Sequence, residues 1–361
     1  MKRVGDLYEK IYDIDNLRLA HKQARKGKSF YTEVKLVDKN EDEYLYKLQD
    51  MLKNKTYKTS EYEIFEKQEG NKLRKIYKLP YFPDRICQWA IIQVIEPYLL
   101  RTLTDDTYSA LPNRGVERAR KKVVRALKTD VEGTEWCLKI DVKKYYPSIN
   151  INKLKQKYRR LFKDNDLLWL LDEILDSNPD SGVPIGNYIS QYSGNVYLSD
   201  FDHRVKEVYH VKHYFRYMDD MVFFASTKEE LQRLVVDIKE YLWKEFDLTV
   251  KDNWSLFRLD DRGLDFVGYV FTHNNIRIRK SIALSIKRTS SKIRYRVNND
   301  MELNRTLYFR FNSLQGWIKH SHAGWLKIKY FDIVEDYVIE YHDKYLVRKD
   351  KMKGETCNAA V

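Results

Sequence analysis

Tyr217 Met218 Asp219 Asp220 is the segment that most narrows what this chain can fold into. Apolar, aromatic-rich runs flank it, Tyr214 Phe215 before and Met221 Val222 Phe223 Phe224 Ala225 after, which predicts two buried strands joined by a short turn. Such strands would hold the two acids rigidly. Confined carboxylates repel each other and lose hydration unless protonated or neutralised, and a divalent cation is the simplest neutraliser. An exposed hairpin tip is the plainer reading of the same residues. The other acidic doublets, Asp105 Asp106 and Asp260 Asp261, stand in polar surroundings that suit solvated turns.

A second acid has a similar setting. Trp136 Cys137 Leu138 Lys139 Ile140 Asp141 alternates as a strand does, with Trp136, Leu138 and Ile140 on one face and Asp141 at the exit. Paired beside the hairpin, that strand would bring Asp141, Asp219 and Asp220 together. Three acids in one place can hold two metal ions, an arrangement suited to in-line phosphoryl transfer. After the hairpin, Thr227 and Glu230 form a capping box for a helix with Leu231, Leu234, Val235, Ile238 and Leu242 on one face. Helices are also predicted over 14–28, 40–54 and within 281–343, and a strand pair over 264–271. The pattern is α+β, a sheet domain followed by a helical one.

The formal charge of +13 suggests a polyanionic partner, and its distribution is uneven. Arg277, Arg279, Lys280, Lys287, Arg288, Lys292, Arg294 and Arg296 fall in one stretch without an acid; Arg118, Arg120, Lys121, Lys122, Arg125 and Lys128 form another. Either could be a solvated helix face. The 28 tyrosines favour nucleic acid, since aromatic faces among cations suit unpaired bases and phosphates together, although packing accounts for many of them. Cys87, Cys137 and Cys357 lack disulfide or zinc spacing, which fits a reducing, cytoplasmic setting. No run of 18 apolar residues exists, and Val4 Gly5 Asp6 follows Met1 Lys2 Arg3 where a signal sequence would turn apolar, so a soluble, unprocessed protein without a membrane partner is expected.

With these residues in view, the chain resembles the reverse transcriptases, whose palm carries one Asp on a strand and a Tyr-x-Asp-Asp turn. Pro80 Tyr81 Phe82 Pro83 Asp84 Arg85 Ile86 Cys87 Gln88, preceded by Lys72, Arg74 and Lys75, is similar to a fingers segment of bacterial members. Arg114 Gly115 resembles the next fingers motif, Asp141 to Ile149 the first palm motif and Gly182 to Gln191 the second. Lys251 resembles the lysine after the catalytic hairpin, Leu264 to Tyr269 the primer grip, and the basic helices a thumb. The resemblance implies a right-hand polymerase fold: an N-terminal helical extension over 1–60, fingers over 61–135, a palm over 136–272 with a fingers insertion near 150–182, and a helical thumb and tail over 273–361.

It also implies roles. Asp141 and Asp219, with Asp220 assisting, would hold two Mg²⁺ ions, with Mn²⁺ as a possible substitute. Lys72, Arg74 and Lys75 would meet the triphosphate, Tyr146 would lie under the sugar and exclude a 2′-hydroxyl, and Lys251 would protonate pyrophosphate. Ile185, Gly186 and Gln191 would border the nucleotide. Arg114, Tyr217, Met218, Leu264, Phe266, Gly268, Tyr269, Arg288, Lys292, Arg294 and Arg296 would contact nucleic acid. The partners implied are template RNA, a DNA or RNA primer and deoxynucleoside triphosphates.

Many family members carry Gln-Gly, three residues, then Ser-Pro in the second palm motif; this chain has Ile185 Gly186 Asn187 Tyr188 Ile189 Ser190 Gln191. That form resembles the enzymes of diversity-generating retroelements, which miscopy template adenines and act with a small basic accessory protein. Ile185 removes an amide that could fix the nucleotide, which implies lower fidelity; tight packing of Ile185 with ordinary fidelity is the alternative. A phage-defence reverse transcriptase, a catalytically idle RNA-binding scaffold and a metal-dependent nuclease are the competing readings. A full maturase and endonuclease set is not expected after residue 343.

Overall fold

The computed structural model describes residues 2–69 and 72–347. The chain divides into two compact units, one of residues 1–119 and 136–256, the other of residues 120–135 and 257 onward. The fold is α+β, with antiparallel sheets among helices.

The first unit opens with helices Tyr8–Tyr12, Ile14–Ala24, Thr32–Lys39 and Glu41–Lys53, followed by the antiparallel hairpin β1 (Glu63–Glu69) and β2 (Lys72–Lys78). The helix expected to run to 28 stops at Ala24, and Gly27 just beyond it sits at φ +68°, where helical hydrogen bonding cannot continue. Thr32–Lys39 is a helix the periodicity did not single out. Helix Ile86–Leu100 buries residues on every face, Cys87, Ile91, Ile95 and Leu99 among them, because the helix Ile14–Ala24 and the helix Tyr188–Tyr197 both pack on it.

The central sheet positions the acids. Strands β3 (Trp136–Asp141), β4 (His213–Tyr217) and β5 (Asp220–Ala225) lie in the order β4-β5-β3, all antiparallel. Ile140 pairs with Met221, and Asp141 with Asp220, so the strand expected from alternation ends opposite the second acid of the turn. Cys137 is buried as well as Leu138 and Ile140, so both faces of β3 are covered. Helix Lys228–Phe246 packs on β3 and β5, capped by the Thr227 hydroxyl, which accepts from Glu230 N, and buries Leu231, Val235, Ile238 and Leu242. The chain passes to the second unit within β6 (Ser255–Arg258).

The second unit contains the antiparallel sheet β7 (Leu264–Phe266), β8 (Tyr269–Phe271) and β9 (Ile276–Ile278). Its helices Lys280–Asn298, Arg305–Lys319 and Asp332–His342 enclose a core that includes Ile286, Ile293, Phe311, Phe331 and Val334. The acidic doublets expected to be solvated turns are tied down at their first residue. Asp105 pairs with Arg118, and Asp260, in the short helix Leu259–Arg262, pairs with His273 at 2.8 Å. Cys87 and Cys137 are buried and outside any disulfide, while Cys357 lies outside the described residues. Among the described residues no helix is long and apolar enough to cross a membrane.

Candidate active site

Strands β4 and β5 meet through a two-residue turn, Met218 and Asp219, with Tyr217 opposite Asp220. Met218 adopts φ +60°, a conformation that glycine usually fills at such a turn, and its side chain is buried. An added Cβ on Gly194 would sit 3.1 Å from the Met218 sulfur and 3.4 Å from the Tyr145 ring, so the glycine in helix Tyr188–Tyr197 lets the turn pack closely.

Asp141 and Asp219 come together. Burial first, and the negative charge of Asp141 second, push the Asp219 carboxyl up to about 7, while Lys251 works in the other direction. Lys251 is held to Asp141 twice: its ammonium donates to the carboxylate, and its backbone N–H donates to the Asp141 carbonyl at 2.8 Å. Asp220 faces Lys139 at 3.2 Å. Among the described residues no group of three His, Cys, Asp or Glu side chains is gathered as a ready-made ion site. What the chain provides is an acid pair in which burial, and then the charge of Asp141, hold the Asp219 carboxyl up to about 7. That donor set fits a hard divalent cation, which would remove the repulsion and accept oxygen ligands from a phosphate as well.

Tyr146 stands beside this pair. Burial, then the charge of Asp219, push its hydroxyl upward, and the guanidinium of Arg74 is near enough to oppose the shift. The second palm motif packs on the same residue: Val183 N–H donates to the Tyr146 carbonyl at 2.9 Å, and a Cβ on Gly182, at φ +75°, would lie 2.2 Å from that oxygen. The next residues reach β2, where Tyr77 N–H donates to the Ile185 carbonyl at 2.9 Å and a Cβ on Gly186 would strike the Tyr77 carbonyl at 2.4 Å. Ile185 is half-buried and Gln191 is exposed on its helix.

The three candidate triphosphate cations separate. Arg74 is exposed, and its charge is felt at the Tyr146 hydroxyl; Lys75, its neighbour on the opposite face of the strand, is in an ion pair with Asp180 at 2.5 Å; the side chain of Lys72 lies outside the described residues. Arg114 donates to the carbonyls of Thr104 and Thr107 at 2.6 and 2.8 Å, and so binds its own loop.

In the second unit, Leu264, Phe266 and Tyr269 are buried, and the turn between β7 and β8 is Val267 and Gly268, at φ +43° and +90°. Gly268 is required there, because an added Cβ would lie 2.4 Å from the Trp317 ring. Arg288, Lys292 and Arg294 are exposed on helix Lys280–Asn298, whereas Arg296 donates to the Glu302 carbonyl at 2.7 Å.

Residues 65–271, more than half of the chain, match the family described as reverse transcriptase (RNA-dependent DNA polymerase). The chain belongs to the reverse transcriptase family. All the acids just described lie inside this reverse transcriptase domain. A curated relative, protein YkfC of Escherichia coli strain K12, is 29% identical over 157 residues, which cover 40% of this chain and 41% of that protein. Two telomerase structures from Candida tropicalis share the fold. One, in complex with a fragment of telomeric RNA, has a TM-score of 0.50 at 14% identity over 80% of this chain and 55% of that one. The other, apo telomerase, has a TM-score of 0.50 at 12% identity over 81% and 59%. The chain spans about two fifths of the curated relative and somewhat over half of each telomerase.

Sequence reasoning overlooked the group beneath the turn. Arg216, on β4, is fully buried with Asp202, and its guanidinium also donates to the Met218 carbonyl at 3.0 Å. The signal was available: a cation inside an apolar strand, directly before the acidic turn, requires a buried acid.

Proposed function

We propose that this protein is an RNA-directed DNA polymerase that extends a DNA or RNA primer on a template RNA with deoxynucleoside triphosphates. The observation that carries this reading is the juxtaposition of Asp141 and Asp219 next to Tyr146, inside the matched domain. Asp141 and Asp219 are the principal ligands for Mg²⁺, with Asp220 assisting and Mn²⁺ as a substitute. Two such ions would activate the primer hydroxyl and stabilise the leaving oxygen. Arg74 meets the triphosphate, and Lys251, whose ammonium is held to Asp141, protonates the departing pyrophosphate in this reading. In this reading residues 61–135 act as fingers, 136–272 as palm and the helices after 273 as thumb. The cations Arg288, Lys292 and Arg294 face phosphates there, and the half-buried Val267 of the turn, not the buried Leu264, Phe266, Gly268 and Tyr269, meets the primer.

Tyr146 sets sugar choice, because its ring occupies the floor on which a 2′-hydroxyl would fall. Tyr146→Ala is expected to reduce discrimination against ribonucleotides by about tenfold or more while deoxynucleotide incorporation persists. Competition between labelled ATP and dATP checks it; unchanged discrimination removes the role.

The finer reading is an enzyme of the diversity-generating-retroelement type, acting with a structured template RNA and a small basic accessory protein. It is supported by Ile185, which offers the nucleotide a half-buried apolar side chain and keeps its carbonyl engaged with Tyr77. Sequencing cDNA copied from a mixed-base RNA tests both levels. Synthesis with substitutions concentrated at template adenines is expected; equal error at all four bases sinks the finer reading, and no cDNA sinks the broader one.

A further inference from the structure

Residues 177–187, the loop that leads into the helix Tyr188–Tyr197, are closed into a ring by two tyrosines that precede it by about a hundred residues. Tyr62, one residue before β1, ties the outer ends: its hydroxyl meets the Ser177 hydroxyl at 2.9 Å and accepts from the Asn187 amide at 2.9 Å. Tyr77, on β2, ties the inner ends. Its hydroxyl donates to the Asp180 carboxylate, and its backbone N–H donates to the Ile185 carbonyl at 2.9 Å. The two rings meet edge to face, with centroids 5.9 Å apart.

The arc from Asp180 to Ile185 has its middle on Tyr146. Val183 N–H donates to the Tyr146 carbonyl, and a Cβ on Gly182 would lie 2.5 Å from the Pro147 carbonyl carbon, so no slack is left on that side. Asn178 stiffens the arc from within, its amide donating to the Gly182 carbonyl at 2.8 Å. A loop backbone pinned at both ends and in the middle cannot shift at one point without breaking a hydrogen bond at another.

Asp180 is the one point of this ring that is open to solvent. Lys75 shares its carboxylate, but that pair is about half exposed on both sides and contributes little. Tyr77 is buried, and it is the donor that also reaches Ile185, so the hydroxyl–carboxylate bond is what closes the arc. Removing that bond leaves the outer tie at Tyr62 in place. The fold is therefore kept while the arc behind Tyr146 loosens.

We propose that Asp180 and Tyr77 are positioning residues for sugar selection: by closing the 180–185 arc they fix the Tyr146 backbone, and with it the ring that bars a 2′-hydroxyl. The proposal rests on the reading of Tyr146 as the sugar gate of a DNA polymerase. With the arc open, Val183 withdraws from the Tyr146 carbonyl and the ring gains room, which a bulkier sugar exploits and a deoxyribose does not need.

Two measurements on the full chain test it, hydrogen–deuterium exchange over residues 181–187 and competition between labelled ATP and dATP on a primed RNA template. Asp180→Ala and Tyr77→Phe should each speed exchange of the Val183 amide about tenfold and reduce discrimination against ATP about three- to tenfold, with dATP incorporation within about twofold of the parent. The double variant should lose no more than either single, because both remove the same bond. In a Tyr146→Ala background, Asp180→Ala should leave discrimination where it was. A further fall in that background, parental discrimination in a variant whose exchange is faster, or an equal loss of ATP and dATP incorporation overturns the positioning role. Parental exchange in Asp180→Ala overturns it whatever incorporation shows. Faster exchange in both variants, together with no incorporation by the parent, sustains the clasp on Tyr146 and sinks the polymerase reading instead.

Discussion

Asp219→Asn should lower nucleotide incorporation by about a thousandfold or more and, in the same protein, raise the melting temperature measured without divalent ions at pH 8. Both effects come from one arrangement. The carboxylate is confined in the turn beside Asp141, and burial plus that charge push its pKa from 3.8 up to about 7. A carboxyl with a raised folded-state pKa binds a proton in the fold at pH values where the unfolded chain has released it. Stability is therefore lost as pH rises from about 4 to about 7, and the full cost is present above that window. At 1.36 kcal/mol per pH unit the cost is at most about 4 kcal/mol, reduced by solvent reaching the side chain. Asparagine has no charge to desolvate, so its gain should be visible at pH 8, vanish near pH 4, and shrink when Mg²⁺ offsets the parent's acid pair. Incorporation within tenfold of the parent would refute the catalytic assignment; a melting temperature unchanged at pH 8 would refute the electrostatic one.

Local pattern and long-range pairing differed in how far the sequence revealed them. β3, the hairpin and the helix after Thr227 were legible because alternation, an apolar helix face and a capping box are each written within about 20 residues. Asp141 could be placed at a strand end, but its alignment with Asp220 depends on which strand β5 neighbours, which periodicity does not specify. The partners that govern the site charges are more distant still: Lys251 for Asp141 and Asp180 for Lys75. Lys75 shows the consequence. Next to Arg74 in sequence, it resembled an equal candidate for the triphosphate; the strand pleat turns it to the other face, where Asp180 takes its charge. Leu264, Phe266 and Tyr269 were legible as a strand pair, but the burial of Tyr269 was not, because the Trp317 ring that meets it comes from the helix Arg305–Lys319.

Arg216 gives the second large effect, and it separates holding the fold from aiming the acid. Its Nε donates to Asp202 at 2.7 Å and Nη2 to the other carboxylate oxygen, both side chains at 0% exposure. Tyr214 and Thr107 hydroxyls donate to the same carboxylate at 2.7 and 3.0 Å. Removing the guanidinium leaves a buried carboxylate with hydroxyls alone, so Arg216→Ala should cost about 3–5 kcal/mol. Replacing both charges, Arg216→Met with Asp202→Leu, should recover most of that loss, since an apolar pair needs no desolvation. Activity should not return with it. Nη1 of Arg216 also donates to the Met218 carbonyl, and Met218 is held at φ +60°, a conformation that costs a non-glycine residue about 1–2 kcal/mol without such a tie. With the tie gone the turn relaxes and Asp219 shifts relative to Asp141, and displacement on the order of 1 Å can cost about a hundredfold in rate. The double variant is thus expected to melt near the parent, keep its KM for nucleotide and lose kcat by about ten- to a hundredfold. Parental kcat in a stably folded double variant would show that Arg216 serves the core alone and that the turn positions Asp219 without it.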